Sequence, residues 1–343
     1  TRARRTLSIS YASTSDTGKQ VLPASFLVND TWGIESSPTT KTSKQTVSNL
    51  EREWHAPYIS IPQNNMKHLL KSTLERYKLS ATHLNTFLDV TRGGPQNFLL
   101  QNLLRFPQAM SSNASYGSAI HRTLQRVHTH IQATGTKRPL EDILGEFETV
   151  LHEMHLSEKD HTHYLHRGTS ALTAFLLAQY DNFTENDTAE LSFSGQQSRL
   201  GSAHLTGALD VVRIDTETKT IVVTDYKTGS PSTSWQGKTD YEKQKLHRYR
   251  QQLMFYKLLI EHSRDFANYT VEKGVLQFVE PTKSGQVHSL DLVFDSDEVA
   301  QFTRLVLAVW QRIQNLDIVD TSKFTADHKG IVNFEAWLLD EHQ

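Results

Sequence analysis

The sequence predicts an α+β or α/β domain: a central mixed β-sheet flanked by helices, with a helical part on its N-terminal side. Two observations lead there. Apolar residues recur at helical spacing through most of 79–183 and then alternate in strand fashion across 189–229, and these two periods mark the two element types. A long helical segment at 241–263 then separates that strand cluster from further strands near 271–279 and 287–294. This order calls for one sheet with helices packed against it.

Each element has a local reason. LSATHLNTFLDV (79–90) opens with Ser80 as an N-cap and carries Leu84, Phe87 and Leu88 on one face. Gly93, Gly94 and Pro95 break the chain. Helices follow over 116–131, over 139–154 with Pro139 in the first turn, and over 157–183. AELSFSG (189–195), HLTGALDVVRID (204–215) and TIVVTDYKTG (220–229) read as strands, the last two joined by a DTETK hairpin. A helix over 297–316 presents Phe302, Leu305 and Trp310 as a core stripe. Residues 29–75 shift to Thr, Ser, Asn, Pro and Lys and read as a linker or irregular segment. The expected division is therefore 1–28, 29–75 and 76–343.

Composition narrows the function. The 343 residues hold 36 Lys+Arg against 38 Asp+Glu and no cysteine. That excludes disulfides, thiol catalysis, thiolate zinc sites and thiolate-held iron–sulfur clusters. It also offers no global positive charge to attract nucleic acid, so such a function has to be argued from a site. No segment has the apolar run of a membrane span or a signal peptide, so a soluble, cytoplasmic protein is expected. The chain starts at Thr1, which suggests a piece of a longer polypeptide.

The chemistry concentrates in GALDVVRID and IVVTDYKTG. Asp210 and Asp225 fall on adjacent strands of the hairpin, so their carboxylates can converge. Strand side chains repeat every second residue, which puts Lys227 on the face of Asp225 and Tyr226 on the other. Two acids beside a lysine make a poor core, but they suit a hard divalent cation with oxygen ligands. The lysine is then placed to orient a water or to stabilise developing negative charge. Gly207 is expected to leave room for a substrate backbone. A bare Asp-x-Lys triplet is more often a surface ion pair; the apolar strand before it, the Gly-x-x-Asp on the preceding strand and the following Thr-Gly favour the site.

These motifs resemble the core of the RecB-type nucleases, a branch of the PD-(D/E)xK superfamily. Further marks fall in the family's order over about 79–316. LSATHLNTFL resembles its opening helix, GSAIH (117–121) its Gly-x-x-x-His motif, and QLMFY (252–256) its Gln-x-x-x-Tyr motif. Glu190 matches a glutamate often found in the strand before the hairpin and is given a supporting role. The resemblance implies a restriction-endonuclease-like core and Mg²⁺ or Mn²⁺ held by His121, Asp210, Asp225 and the Tyr226 backbone carbonyl. It implies catalysis by Asp210, Asp225 and Lys227 with Gln252 and Tyr256, the tyrosine mainly packing and orienting. Without the resemblance, His121 would read as a core histidine; Gly117, one turn earlier, lets another element approach.

The first residues, TRARRTLSISYA, resemble the last ATPase motif of UvrD-like superfamily-one helicases, which implies a γ-phosphate contact for Arg2. With no Gly-Lys-[Ser/Thr] phosphate loop in the chain, no ATPase activity is expected from it alone. Together these resemblances imply a DNA nuclease, as exonuclease in preference to endonuclease. It would work on single-stranded DNA or unwound duplex ends beside a helicase motor in the same chain and repair-complex subunits. Family members with an iron–sulfur cluster use four cysteines; here none exists, so no cluster is expected and the ordering of 320–343 is in question. A DNA-guiding pseudonuclease and a protein-interaction module are the alternatives. His152, His155, His161, His163 and His166 read as a polar helix end. Lys243, Lys245, Arg248 and Arg250 are equally consistent with DNA contacts and with a charged helix face.

Overall fold

In the computed structural model, residues 63–108 and 110–341 are described; the expectations for Arg2 and for 1–28 lie outside them. The first element corrects the sequence reading. Helix α1, Gln63–Glu75, occupies the last part of the segment expected to be a linker. Met66, Leu70 and Leu74 recur every fourth residue and pack into the main core. The compact unit that holds these elements runs from Gln63.

Ser80 caps helix α2, Ala81–Leu88, its Oγ accepting from the His83 N–H. A glycine break follows, and helix α3, Gly94–Phe98, runs into a π-helical turn at Leu99–Leu103. Ser111 caps helix α4, Ser112–Thr134, which starts earlier than expected for that reason. Helices α5, Leu140–His152, and α6, Glu158–Gln179, pack with α4 around Ile120, Leu124, Phe147 and Phe175.

The chain then builds strands β1, Asp187–Ser192, β2, Arg199–Leu200, β3, Ala203–His204, β4, Ala208–Asp215, and β5, Thr220–Lys227. The 204–215 run expected as one strand is thus two pieces, with Leu205–Gly207 between them. Helix α7, Asp240–Glu261, begins at a capping box in which Thr239 and Glu242 satisfy each other's backbone N–H groups. Strands β6, Thr270–Phe278, and β7, Ser289–Val293, and helix α8, Ser296–Asn315, complete the expected elements.

The main sheet has the order β1-β4-β5-β6-β7. Its pairs are antiparallel except β5 with β6, which is why α7 is needed as the crossover between those two strands. The sheet is therefore mixed, as expected. One face packs Val212, Ile221, Val223 and Leu276 against α2, α7 and α8, and the other packs Val211 and Tyr226 against α4 and α6.

The C-terminal region is ordered. Helix α9, His328–Asp340, is capped by Asp327 and buries Ile331, Phe334 and Leu338. Phe334 stacks on Phe87 of α2 and on Trp337, so aromatic packing holds a segment that has no cysteine to anchor it. Phe334→Ala should cost about 3–5 kcal/mol in urea unfolding. A change below about 1 kcal/mol would show that α9 is not part of the cooperative core.

Candidate active site

The site sits where the N-terminal end of β4 and the C-terminal end of β5 meet α4 and α7. Pairing of Val211 with Thr224 sets the β4–β5 register, and one step further places Asp210 opposite Asp225. On the other side, Ala189 pairs with Val211 and Leu191 with Leu209, so Glu190 of β1 falls beside Asp210, whose charge acts on it. Three acidic residues thus occupy one rung of three neighbouring strands. Directly opposed like charges destabilise a sheet, and Glu190 adopts a φ of 49° at that position, a strained conformation for a residue with a Cβ.

The neighbours answer this concentration of charge. His121 Nδ1 lies 3.2 Å from Asp210 Oδ1, and the Tyr226 backbone N–H donates to Asp210 Oδ2 at 2.8 Å. Asp225 is almost fully buried and forms an ion pair with Lys227, with Nζ 2.6 Å from Oδ2. That contact lies outside hydrogen-bond alignment, leaving Oδ2 without an aligned donor. Gln252 joins the two: its Nε2 donates to Asp225 Oδ1 at 2.9 Å and its Oε1 accepts from Lys227 at 2.7 Å. The same Nε2 donates to the Tyr256 hydroxyl at 2.6 Å, and that hydroxyl donates to Asp225 Oδ1 at 3.3 Å.

Protonation follows from these contacts. Burial raises the Asp225 carboxyl, with repulsion from Asp210 adding to it against the pull of Lys227. Burial would raise Asp210 too, but His121 and the Tyr226 N–H hold it below the usual carboxylate value. Burial alone would lower Lys227 and His121; their carboxylate partners outweigh it and raise both. Glu190 is raised by burial and by Asp210.

Asp210, Asp225, Lys227, His121, Gln252 and Tyr256 are therefore brought together. Tyr226 contributes its backbone, while its side chain turns to the opposite helix layer. Gly207 does not open a path for substrate: a Cβ there would come within 2.9 Å of Leu259, so it serves the close packing of α7. Gly117 does permit an approach, since a Cβ would lie 3.1 Å from Thr228 Oγ1. Of the basic residues on α7, Lys245 is buried and donates to the Ser230 carbonyl, Arg248 pairs with Asp89 and Arg250 with Glu298. Lys243 remains exposed. In the histidine cluster only the His152 and His161 rings adjoin, edge to face.

Two participants were missed from sequence. Tyr249 places its ring 4.3 Å from Lys227 Nζ, a cation–π contact; its position three residues before Gln252 on one helix face was the available signal. His128 lies two turns after His121, and its Nε2 is 2.7 Å from the Tyr226 hydroxyl.

Among the described residues no three His, Asp or Glu side chains already form a coordination cage. The donor chemistry nevertheless fits a divalent cation. Two carboxylates and an imidazole adjoin, Glu190 adds negative charge, and one carboxylate oxygen lacks an aligned donor.

A family model described as the PD-(D/E)XK nuclease superfamily matches residues 78–326, a span that holds all of these groups. A solved structure from Eubacterium rectale described as a "Putative exonuclease" is similar over 71% of this chain and 84% of that one, at 12% identity and a TM-score of 0.45. No curated protein matches the sequence.

Burial pushes His128 down to about 4. The unfolded chain takes up a proton near pH 6.5 that the folded chain refuses until about pH 4. Stability is thus full above that window and falls as pH drops through it, by about 3 kcal/mol at most. Urea midpoints measured across this range should fall more steeply for wild type than for His128→Asn; equal slopes would contradict the assignment.

Proposed function

The chain belongs to the PD-(D/E)XK nuclease superfamily, and from that premise we propose that it hydrolyses phosphodiester bonds of DNA with Mg²⁺ or Mn²⁺. The observation that carries this reading is the Asp210–Asp225 rung with Lys227 beside it, His121 contacting Asp210 and Gln252 joining Asp225 to Lys227.

Asp210, Asp225, His121 and the Tyr226 carbonyl are the groups that would hold the cation. When bound, it offsets the charge of the scissile phosphate and lowers the pKa of the attacking water. An imidazole in the set makes Mn²⁺ as suitable as Mg²⁺. Lys227, kept charged by its carboxylate neighbours, is the donor for negative charge that develops on the phosphoryl oxygens. Gln252 fixes the distance between that donor and Asp225, because its amide engages both. Tyr256 restrains the amide from beneath, and Tyr249 walls the lysine on its outer side.

In this reading the enzyme works from DNA ends, as an exonuclease on single strands or unwound duplex ends. A helicase motor in the same polypeptide and repair-complex subunits are its proposed partners, supported by the motif at residues 1–12. A cytoplasmic location is part of the same proposal; among the described residues no helix is long and apolar enough to cross a membrane.

Labelled single- and double-stranded DNA incubated with Mg²⁺ or Mn²⁺ tests this. Wild type should cleave and lose activity in chelator, Asp225→Asn should be inactive, and Lys227→Ala should lower kcat by about 10²–10³-fold. Equal residual cleavage by wild type and Asp225→Asn would remove the reading. Binding without cleavage would leave a DNA-guiding module, and neither would leave an interaction module.

A further inference from the structure

Beside the carboxylate rung lies a second cleft, of about 290 Å³, formed by α2, the π-helical turn after α3, and α7. Gln252 belongs to both: it holds Asp225 and Lys227 on one side and lines this cleft on the other. The rest of the lining is rich in side-chain amides, with Asn85, Asn97 and Gln101 facing Arg248. We propose that this cleft receives one unpaired nucleobase of the DNA strand whose backbone enters the carboxylate site. The inference rests on the nuclease reading above and names what that site holds next to the scissile bond.

Charge argues for a base over a phosphate. Asp89, almost fully buried in the cleft wall, accepts from Thr91 and pairs with Arg248 at 3.0 Å and with Arg92 at 3.7 Å. Asp89 offsets part of the positive charge of Arg248 and Arg92, and a phosphate entering here would meet this carboxylate as well as the arginines. A base carries no charge, and its edge offers the donors and acceptors that amides match.

Hydrogen-bond capacity argues the same way. Asn97 Oδ1 accepts from Gln101 Nε2, which leaves the Asn97 amide N–H groups and Gln101 Oε1 as a donor–acceptor pair toward the cleft. At the floor, Asn85 donates to the Arg248 carbonyl. The planar guanidinium of Arg248, fixed by Asp89, supplies a flat surface for stacking. Gln101 sits within the π-helical turn at Leu99–Leu103, an irregularity often found at functional sites. A base paired in a duplex has its edge occupied, so the cleft selects single-stranded DNA.

The test is fluorescence anisotropy with a short single strand in which one abasic residue is walked along the sequence, in EDTA and again with Ca²⁺. Wild type should bind about tenfold more weakly when one particular position is abasic. The Asn97→Ala/Gln101→Ala double variant should bind the intact strand about tenfold more weakly and lose sensitivity at that position, while both proteins bind a fully paired hairpin equally. Circular dichroism melting confirms that the variant is folded, since both side chains lie on the cleft surface and not in the core. Overturning results are no abasic-sensitive position, a variant as sensitive as wild type, or no binding of single strands at all. The readout needs no cleavage. An inactive protein with the expected pattern would retire the nuclease reading and keep the cleft, and an active protein without it would retire the cleft alone.

Discussion

Two carboxylates face each other on one rung between the interior strands β4 and β5, and much of the architecture around them answers the resulting repulsion. Burying a charge is costly unless a partner and hydrogen bonds meet it. Asp210 receives His121 from α4 and the Tyr226 N–H from the neighbouring strand. Asp225 receives Lys227 from two residues along its own strand and Gln252 and Tyr256 from α7. Neither set suffices alone, because Glu190 brings a third acid to the same rung. The excess negative charge is what a divalent cation would balance.

This demand reaches into the fold. Asp225 and Lys227 share a face only because β5 is regular to its end, and that regularity sends Tyr226 into the opposite helix layer. There its hydroxyl meets His128, and its ring packs edge-on against Phe175. Helix α7 approaches closely enough for Gln252 to reach the carboxylate, and the missing side chain at Gly207 leaves space for Leu259 on that same helix. The parallel pairing of β5 with β6 makes α7 the crossover, so the helix carrying Gln252 and Tyr256 is also the one the topology requires.

Much of this was legible in the chain. The change of period located the sheet, the Asp-x-Lys spacing put both groups on one face, and the four-residue step from Gln252 to Tyr256 put them on one side of a helix. The unread parts have physical reasons. Helix α9 combines an Asp cap with Phe334 and Trp337, but no partner for those rings could be named before α2 was in place. Helix α1 carries only four apolar residues, and one of them, Leu69, faces solvent. Gly207 was assigned to substrate because sequence shows that a side chain is absent and not what fills its space. The basic run on α7 looked uniform, yet Lys245 turns inward while Arg248 and Arg250 are claimed by acids from other elements. The rung partner of Asp210 needed the β1 register, which periodicity does not supply.

A divalent cation is the group fitted to balance this buried acidic rung. Thermal unfolding of wild type and Asp210→Asn, each titrated with Mn²⁺, tests it most directly, because a ligand that binds only the native state raises its Tm. Wild type should show a saturable rise and the variant little or none. No rise in wild type, or an equal rise in both proteins, would contradict it.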